Sequence, residues 1–372
     1  MFRKTTSRPQ DALLIALSAA LLVGCAAGST DKPPPPPYKP SADSRSQASE
    51  FIAANNQKKR GNSNKLALTS CNVVFGVRTG GNSSTHSGMF EPTAGTLQAK
   101  IAQWYELEGV SDAQMQSITD RICADAEQQL QQAGFELMPQ AQLLATSQYQ
   151  ELAAKGRPGP VAWEVAKSEY KVFAPTGRTV FDQRFDSGAK GIANIFKAAT
   201  RSNPDALEGK LVNELGITGA HVDYIVDFAS VAGRDDSKGV LGRMAGQDQA
   251  EVTSTVELAI SGSLKLVTPE SIHCHKLGCD TNNAIWPAYQ SKRPLIAQGK
   301  FHNGLRDAQS TANKIGEGIA NVVGFLAAMS GGSGSSLSIS EWAVDADPQA
   351  YGQLAEQYSN GFIKMAALSA RP

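Results

Sequence analysis

Between Glu251 and Val267 the chain alternates without a break. Even positions carry Val252, Val256, Leu258, Ile260, Leu264 and Leu266, while odd positions carry Glu251, Thr253, Thr255, Ser261, Ser263 and Lys265. Successive side chains of a strand point to opposite faces, so the run predicts one long strand with a core face and a solvated face. That two-sidedness is the mark of an antiparallel sheet. His221–Ala232 is a second such run, with Val222, Tyr224, Val226 and Phe228 on one face. A fold built around these runs needs helices to cover one face of the sheet.

The helices are legible from their ends. Ser111 with Gln114 forms a capping box, and Met115, Ile118, Ile122, Ala126 and Leu130 make one apolar face before Gly134 closes the helix. Pro204-Asp205 opens another, with Leu207, Leu211 and Leu215 in line and Gly216 after them. Asp347 caps a last helix with Pro348 in its first turn and a stripe of Tyr351, Leu354, Tyr358, Phe362 and Met365. Gln140–Ala154 and the Gly-interrupted Ser310–Met329 also read as helices. Strands are expected over Leu66–Val77, Thr96–Leu107 and Leu337–Val344, with a short one at Phe135–Leu137. Trp163–Phe185 reads as strands turning at Pro175-Thr176-Gly177, and Pro294–Phe301 is expected to pair nearby. Thr79–Thr93 and Gly331–Ser336 have loop composition, and Gly188–Ser202 fits neither period. The fold class expected is α+β: a mixed, largely antiparallel twisted sheet with packed helices.

The N-terminus is of another kind. Arg3, Lys4 and Arg8 precede an apolar run from Ala12 to Val23. The run is too short to span a bilayer, which takes about 20 residues, and has the length of a signal peptide. It ends in Leu22-Val23-Gly24-Cys25, which resembles the lipobox of bacterial lipoproteins. The resemblance implies cleavage before Cys25, lipid on Cys25, and, with Ala26 rather than Asp next, the outer membrane. Acylation of that kind is enough for stable anchoring. Beyond it stands an unbroken proline run, Pro33–Pro37, which favours extended polyproline II. Polar composition continues to Asn64. The organisation expected is a signal peptide over 1–24, a lipid anchor with a disordered Pro-rich linker over 25–64, and a single body over 65–372.

Formal net charge is zero, and loss of residues 1–24 leaves about −2, with no basic stripe for nucleic acid. Cys71, Cys123, Cys274 and Cys279 remain after Cys25. In an oxidising compartment an even number reads as up to two disulfides. Local spacing pairs Cys274 with Cys279, which leaves Cys71 with Cys123. His273-Cys274-His275 and Cys279 also hold ligand types for zinc or copper, but without the usual two-residue spacer, and a disulfide is the simpler reading. Asp235-Asp236, beside Arg234 in Gly-rich sequence, reads as a solvated turn before it reads as a cation site. Gly331-Gly332-Ser333-Gly334 lacks the Lys-Ser/Thr of a phosphate loop. His86, His221 and His302 have no nucleophile or carboxylate at a motif spacing. No catalytic residue, metal site or cofactor is assigned. Trp286-Pro287-Ala288-Tyr289 reads as core packing or as an exposed patch for a partner or glycan.

Asp125–Leu143, in which a helix ends in Gly134-Phe135, a short strand comes next and the succeeding helix carries Gln142-Leu143, is similar to a recurring segment of envelope lipoproteins. The strand Gly219–Gly233, and the strand around Val256–Val267 ending Thr268-Pro269-Glu270, match its next two elements, with Pro269 where Gly is usual. The superfamily includes the curli-secretion protein CsgG, the N-terminal domain of TolB, and LpoB. The resemblance covers about 120 residues; Ala154–Asn203 and the segment after Glu270 lie outside it. It implies a non-enzymatic, outer-membrane-anchored periplasmic lipoprotein that binds an envelope protein partner in assembly or secretion. An oligomeric export pore is the alternative, for which Trp163–Phe185 is the candidate hairpin. A peptidoglycan- or glycan-directed enzyme is a third reading, resting on compartment alone.

Overall fold

The computed structural model describes residues 36–84, 97–165, 168–181, 203–236, 249–275, 278–280, 284–309 and 334–371. The chain divides after Pro37, and the unit from Tyr38 onward holds all the elements below. The expected boundary at residue 65 therefore falls too late. Asp43 caps a helix α1 (Ser44–Phe51), which leads into a strand β1 (Ile52–Asn55). Few apolar residues mark this stretch, but Tyr38, Phe51 and Ile52 are all buried. Three well-placed side chains outweigh the polar composition around them.

The spine of the main sheet is β2 (Lys65–Ser84). On one side it pairs in parallel with β7 (Thr218–Asp227), beyond which lie antiparallel β10 (Ala259–Val267), β13 (Ala288–Ser291) and β1. On the other side lie antiparallel β3 (Leu97–Glu108), parallel β16 (Gly334–Ala346) and antiparallel β15 (His302–Asp307). β4 (Glu136–Leu137), β5 (Val161–Val165), β6 (Ser168–Phe173) and β14 (Leu295–Ile296) also join it. The sheet is mixed and largely antiparallel, as expected.

β2 runs on through Thr79–Ser84, where loop composition predicts a turn; the rest of that predicted loop lies outside the described residues. The strand persists because β3 pairs with Arg78–Ser84, and because Gly80, lacking a Cβ, lets the Trp104 ring lie directly upon it. The two long alternating runs each break once. β7 stops at Asp227, and its continuation β8 (Ser230–Asp236) pairs with β9 (Gln249–Thr255) as a separate two-stranded sheet. The break coincides in both runs, since Asp227 is opposite Ala259 and Ser230 opposite Thr255. The result is one long hairpin, bent where Phe228 and Leu258 turn into the core.

Helices cover both faces of the main sheet. α2 (Asp112–Gln132) and α6 (Pro348–Ser369) form the first layer with α1. The Ser111–Gln114 capping box, the left-handed Gly134 and the Asp347 cap are all present. Met115, Ile118, Ile122, Tyr351, Tyr358 and Phe362 pack on Leu66, Leu68, Tyr224 and Leu266. On the opposite face Ala67 and Val267 meet α3 (Gln140–Ala145), α4 (Ser147–Ala153) and α5 (Asn203–Leu215). The helix expected over Gln140–Ala154 is thus two, because Thr146 leaves helical geometry and caps the second. The expectation that odd positions of β10 face water is overturned: Ser261, Ser263 and Lys265 are buried. Lys265 goes inside because Asp205 and the Trp286 ring meet it there, a fact that the period alone does not carry.

Trp163–Phe185 also differs. β5 and β6 form a hairpin of five and six residues, while Val180 makes a single bridge to Arg157. Pro175–Arg178 is a turn, closed by Arg178 N to Pro175 O at 2.9 Å, but it joins no hairpin. A strand needs about 9 to 11 residues to cross a bilayer; β5–β6 is shorter and is buried with Val74 and Ile225. The Ser310–Met329 helix, Gly188–Ser202 and residues 331–333 lie outside the described residues. No helix among the described residues is long and apolar enough to cross a membrane.

Candidate functional site

The second face of the sheet contains a cluster of polar side chains that no motif spacing announces. It begins with a β-bulge. The β2–β7 register slips between Leu68 and Ser70, which makes Thr69 the extra residue. Bulges redirect a side chain and free backbone groups from the ladder. Here the Thr69 hydroxyl reaches the Ala220 carbonyl at 3.0 Å and also the Glu208 carboxylate of α5. The carbonyls of Leu68 and Thr69 accept from one Arg178 terminal nitrogen, at 2.9 and 2.7 Å. The turn at Pro175–Arg178 aims that guanidinium, and the Tyr149 hydroxyl also meets it, at 3.1 Å.

Around this bulge α5 contributes Asp205 and Glu208, β7 contributes His221 and β10 contributes Lys265. The Glu208 carboxylate contacts His221 Nε2 as well as Thr69. Lys265 Nζ reaches Asp205 Oδ1 at 3.3 Å and lies over the Trp286 ring, 4.9 Å from its centroid. Exposure is 0% for Thr69, Asp205 and Glu208, 2% for His221 and 7% for Lys265. One donor atom from each of Asp205, Glu208 and His221 lies within 4.8 Å of the other two. Charged groups this deep persist only when matched, and loss of one partner costs about 3–5 kcal/mol. The cluster ties α5 to three strands.

A hairpin lies against α5. β11 (His273–His275) and β12 (Gly278–Asp280) pair with Cys274 opposite Cys279, and these two are bonded. Asn213 Nδ2 donates to Cys274 Sγ at 3.2 Å, and Gly209 leaves room for Ile272 and Cys279. The other bridge joins Cys71 of β2 to Cys123 of α2. Both expected disulfides are therefore present. With Cys274 and Cys279 bonded to each other, no thiolate ligand set exists at His273–Cys279.

The remaining candidate residues are scattered. Trp286 and Tyr289 are core residues, 4% and 1% exposed, not a surface patch. Asp235 and Asp236 belong to strand β8 rather than to a turn. His302 opens β15. Cys25, His86 and Gly331–Ser333 lie outside the described residues. Among the described histidines weighed in the sequence, only His221 enters the buried cluster. Its partners carry a readable signal all the same. Glu208 stands three and four residues before Leu211 and Val212 of the buried face of α5, and Lys265 lies within an alternating strand.

A further acid, Asp227, sits at the end of β7. Burial pushes its carboxyl up to about 7, against which the hydrogen bond from Tyr170 acts in part. The same burial raises the Tyr170 hydroxyl above its ordinary range. Comparison with protein-family models, with curated proteins and with solved structures finds no match for this chain.

Proposed function

We propose that this chain is an outer-membrane-anchored periplasmic lipoprotein whose body acts as a non-enzymatic binding or assembly factor in the cell envelope. The observation that carries the reading is the sequence Leu22-Val23-Gly24-Cys25 with the proline run behind it. A lipidated Cys25 would be joined through the proline run to the compact unit that starts at Tyr38. Two disulfides support an oxidising compartment. Chemistry needs access to the reacting groups, so the buried charged cluster is read as structural.

The test is Cys25→Ser in the full chain. It should abolish incorporation of labelled palmitate and release the protein from the outer-membrane fraction, while circular dichroism of the body stays unchanged. Retention of the variant in the outer membrane would overturn the anchoring role of Cys25. Crosslinking in intact cells should join the wild-type body to an envelope protein; recovery of only uncrosslinked monomer would count against the partner.

A further inference from the structure

A cleft of about 460 Å³ opens between α1 and the C-terminal end of α6, lined by Arg45 and Ala48 on one side and by Leu368, Ser369 and Arg371 on the other. Among the described residues neither arginine makes a hydrogen bond or an ion pair. Guanidinium groups offer donors only, and no carboxylate lines the cleft. The acids of α1 are engaged elsewhere: Asp43 accepts from Ser46 N at 2.9 Å, and Glu50 meets Arg293 at 2.8 Å. Helix dipoles explain only part of this. Arg371 stands just past the end of α6, and its Nη2 lies 3.1 Å from where a Cβ on Gly134, at the end of α2, would stand; helix C-termini attract cations. Arg45 stands in the first turn of α1, where a positive charge is disfavoured. A third guanidinium belongs to the next residue along. Arg60, 6% exposed, lies over the Phe135 ring, 5.6 Å from its centroid. Its Nε and Nη2 meet no acceptor, although Glu270 rests against the adjoining Gly61.

We propose that this cleft binds a phosphate group through Arg45 and Arg371, with Arg60 adding to the positive potential. Planar guanidinium forks match phosphate oxygens bidentately. A group with close to two negative charges matches both arginines and relieves their mutual repulsion; a single carboxylate balances only one. Ala48 and Leu368 leave an apolar margin beside the two charges. Two sources share this chemistry, inorganic phosphate and the phosphomonoester headgroup of a lipid. The site does not depend on the lipoprotein reading.

The experiment is calorimetric titration of the full chain in detergent, with inorganic phosphate in one arm and dihexanoyl phosphatidic acid in the other. At least one probe should bind with a dissociation constant of about 1 mM or lower. Arg45→Gln and Arg371→Gln should each weaken that binding at least about tenfold. Lys364→Gln removes the same charge from an exposed position of α6 outside the cleft and should leave binding unchanged. Binding of the lipid at least about tenfold tighter than phosphate supports the site and assigns it to a headgroup; equal binding supports it and assigns it to free phosphate. Binding of neither probe below about 10 mM overturns the site, as does binding that the two arginine variants leave intact. Each arginine is replaced separately, so if one variant fails to fold the other decides.

Discussion

The ring of Tyr38 stands edge-on to that of Tyr358, centroids 5.6 Å apart, and edge-on to Phe51 at the same distance. This pairing fastens the first residue of the body to α6. It is made possible by Gly361, where a Cβ would run into the Tyr38 ring and hydroxyl. Tyr38→Ala should cost about 3 kcal/mol through the cavity it leaves. Gly361→Ala should also destabilise the protein, by overpacking, by about 1–3 kcal/mol. Urea unfolding of each variant checks both, and a wild-type midpoint for Tyr38→Ala would show that the body starts later in the chain.

Asp227 predicts an inverted pH dependence. An unfolded aspartate releases its proton near 3.9, while in the folded chain Asp227 keeps it up to about 7. Between those values the folded state holds more protons than the unfolded one, so the contribution of Asp227 falls as pH rises from about 4 to about 7. Below that window both states are protonated and the penalty vanishes. Asp227→Asn should remove this slope and raise stability at pH 8. Denaturant midpoints from pH 4 to 8, compared between wild type and variant, provide the measurement.

Arg178 holds the bulge by its bonds to the Leu68 and Thr69 carbonyls. Arg178→Ala leaves two carbonyls short of a charged donor and should cost about 2–3 kcal/mol. Arg178→Lys should recover part of the loss, because one ammonium cannot reproduce the planar fork. Amide exchange in β2 should accelerate near Thr69 and remain slow at Val73–Phe75.

The two disulfides differ in the loops they close. Cys71 and Cys123 are 52 residues apart, Cys274 and Cys279 only 5. Loop-closure entropy assigns about 4 kcal/mol to the first and about 2 kcal/mol to the second. Replacement of both cysteines of each pair by Ser should keep that order in thermal midpoint. Thiol titration of the denatured chain without reductant should find no free thiol at Cys71, Cys123, Cys274 or Cys279.

What could be read in the chain was local. Helix ends at Ser111, Gly134, Asp347 and Pro348 were legible because capping is decided within four residues. The alternation of His221–Ala232 and Glu251–Val267 named two strands, though not the bend at Phe228 and Leu258. The cysteine pairing came from spacing and elimination. None of this placed Thr69, Asp205, Glu208, His221 and Lys265 together, since they come from four elements spread over nearly 200 residues. Nor did it show that Lys265 is buried: a lysine in an alternating strand goes to water unless a carboxylate and an aromatic face meet it inside. Sequence by itself determined the helix ends and the strand character of the long alternating runs, because both depend on neighbours along the chain. Only the tertiary structure decided that α5 closes over the second face of the sheet, and therefore which charges had to be matched.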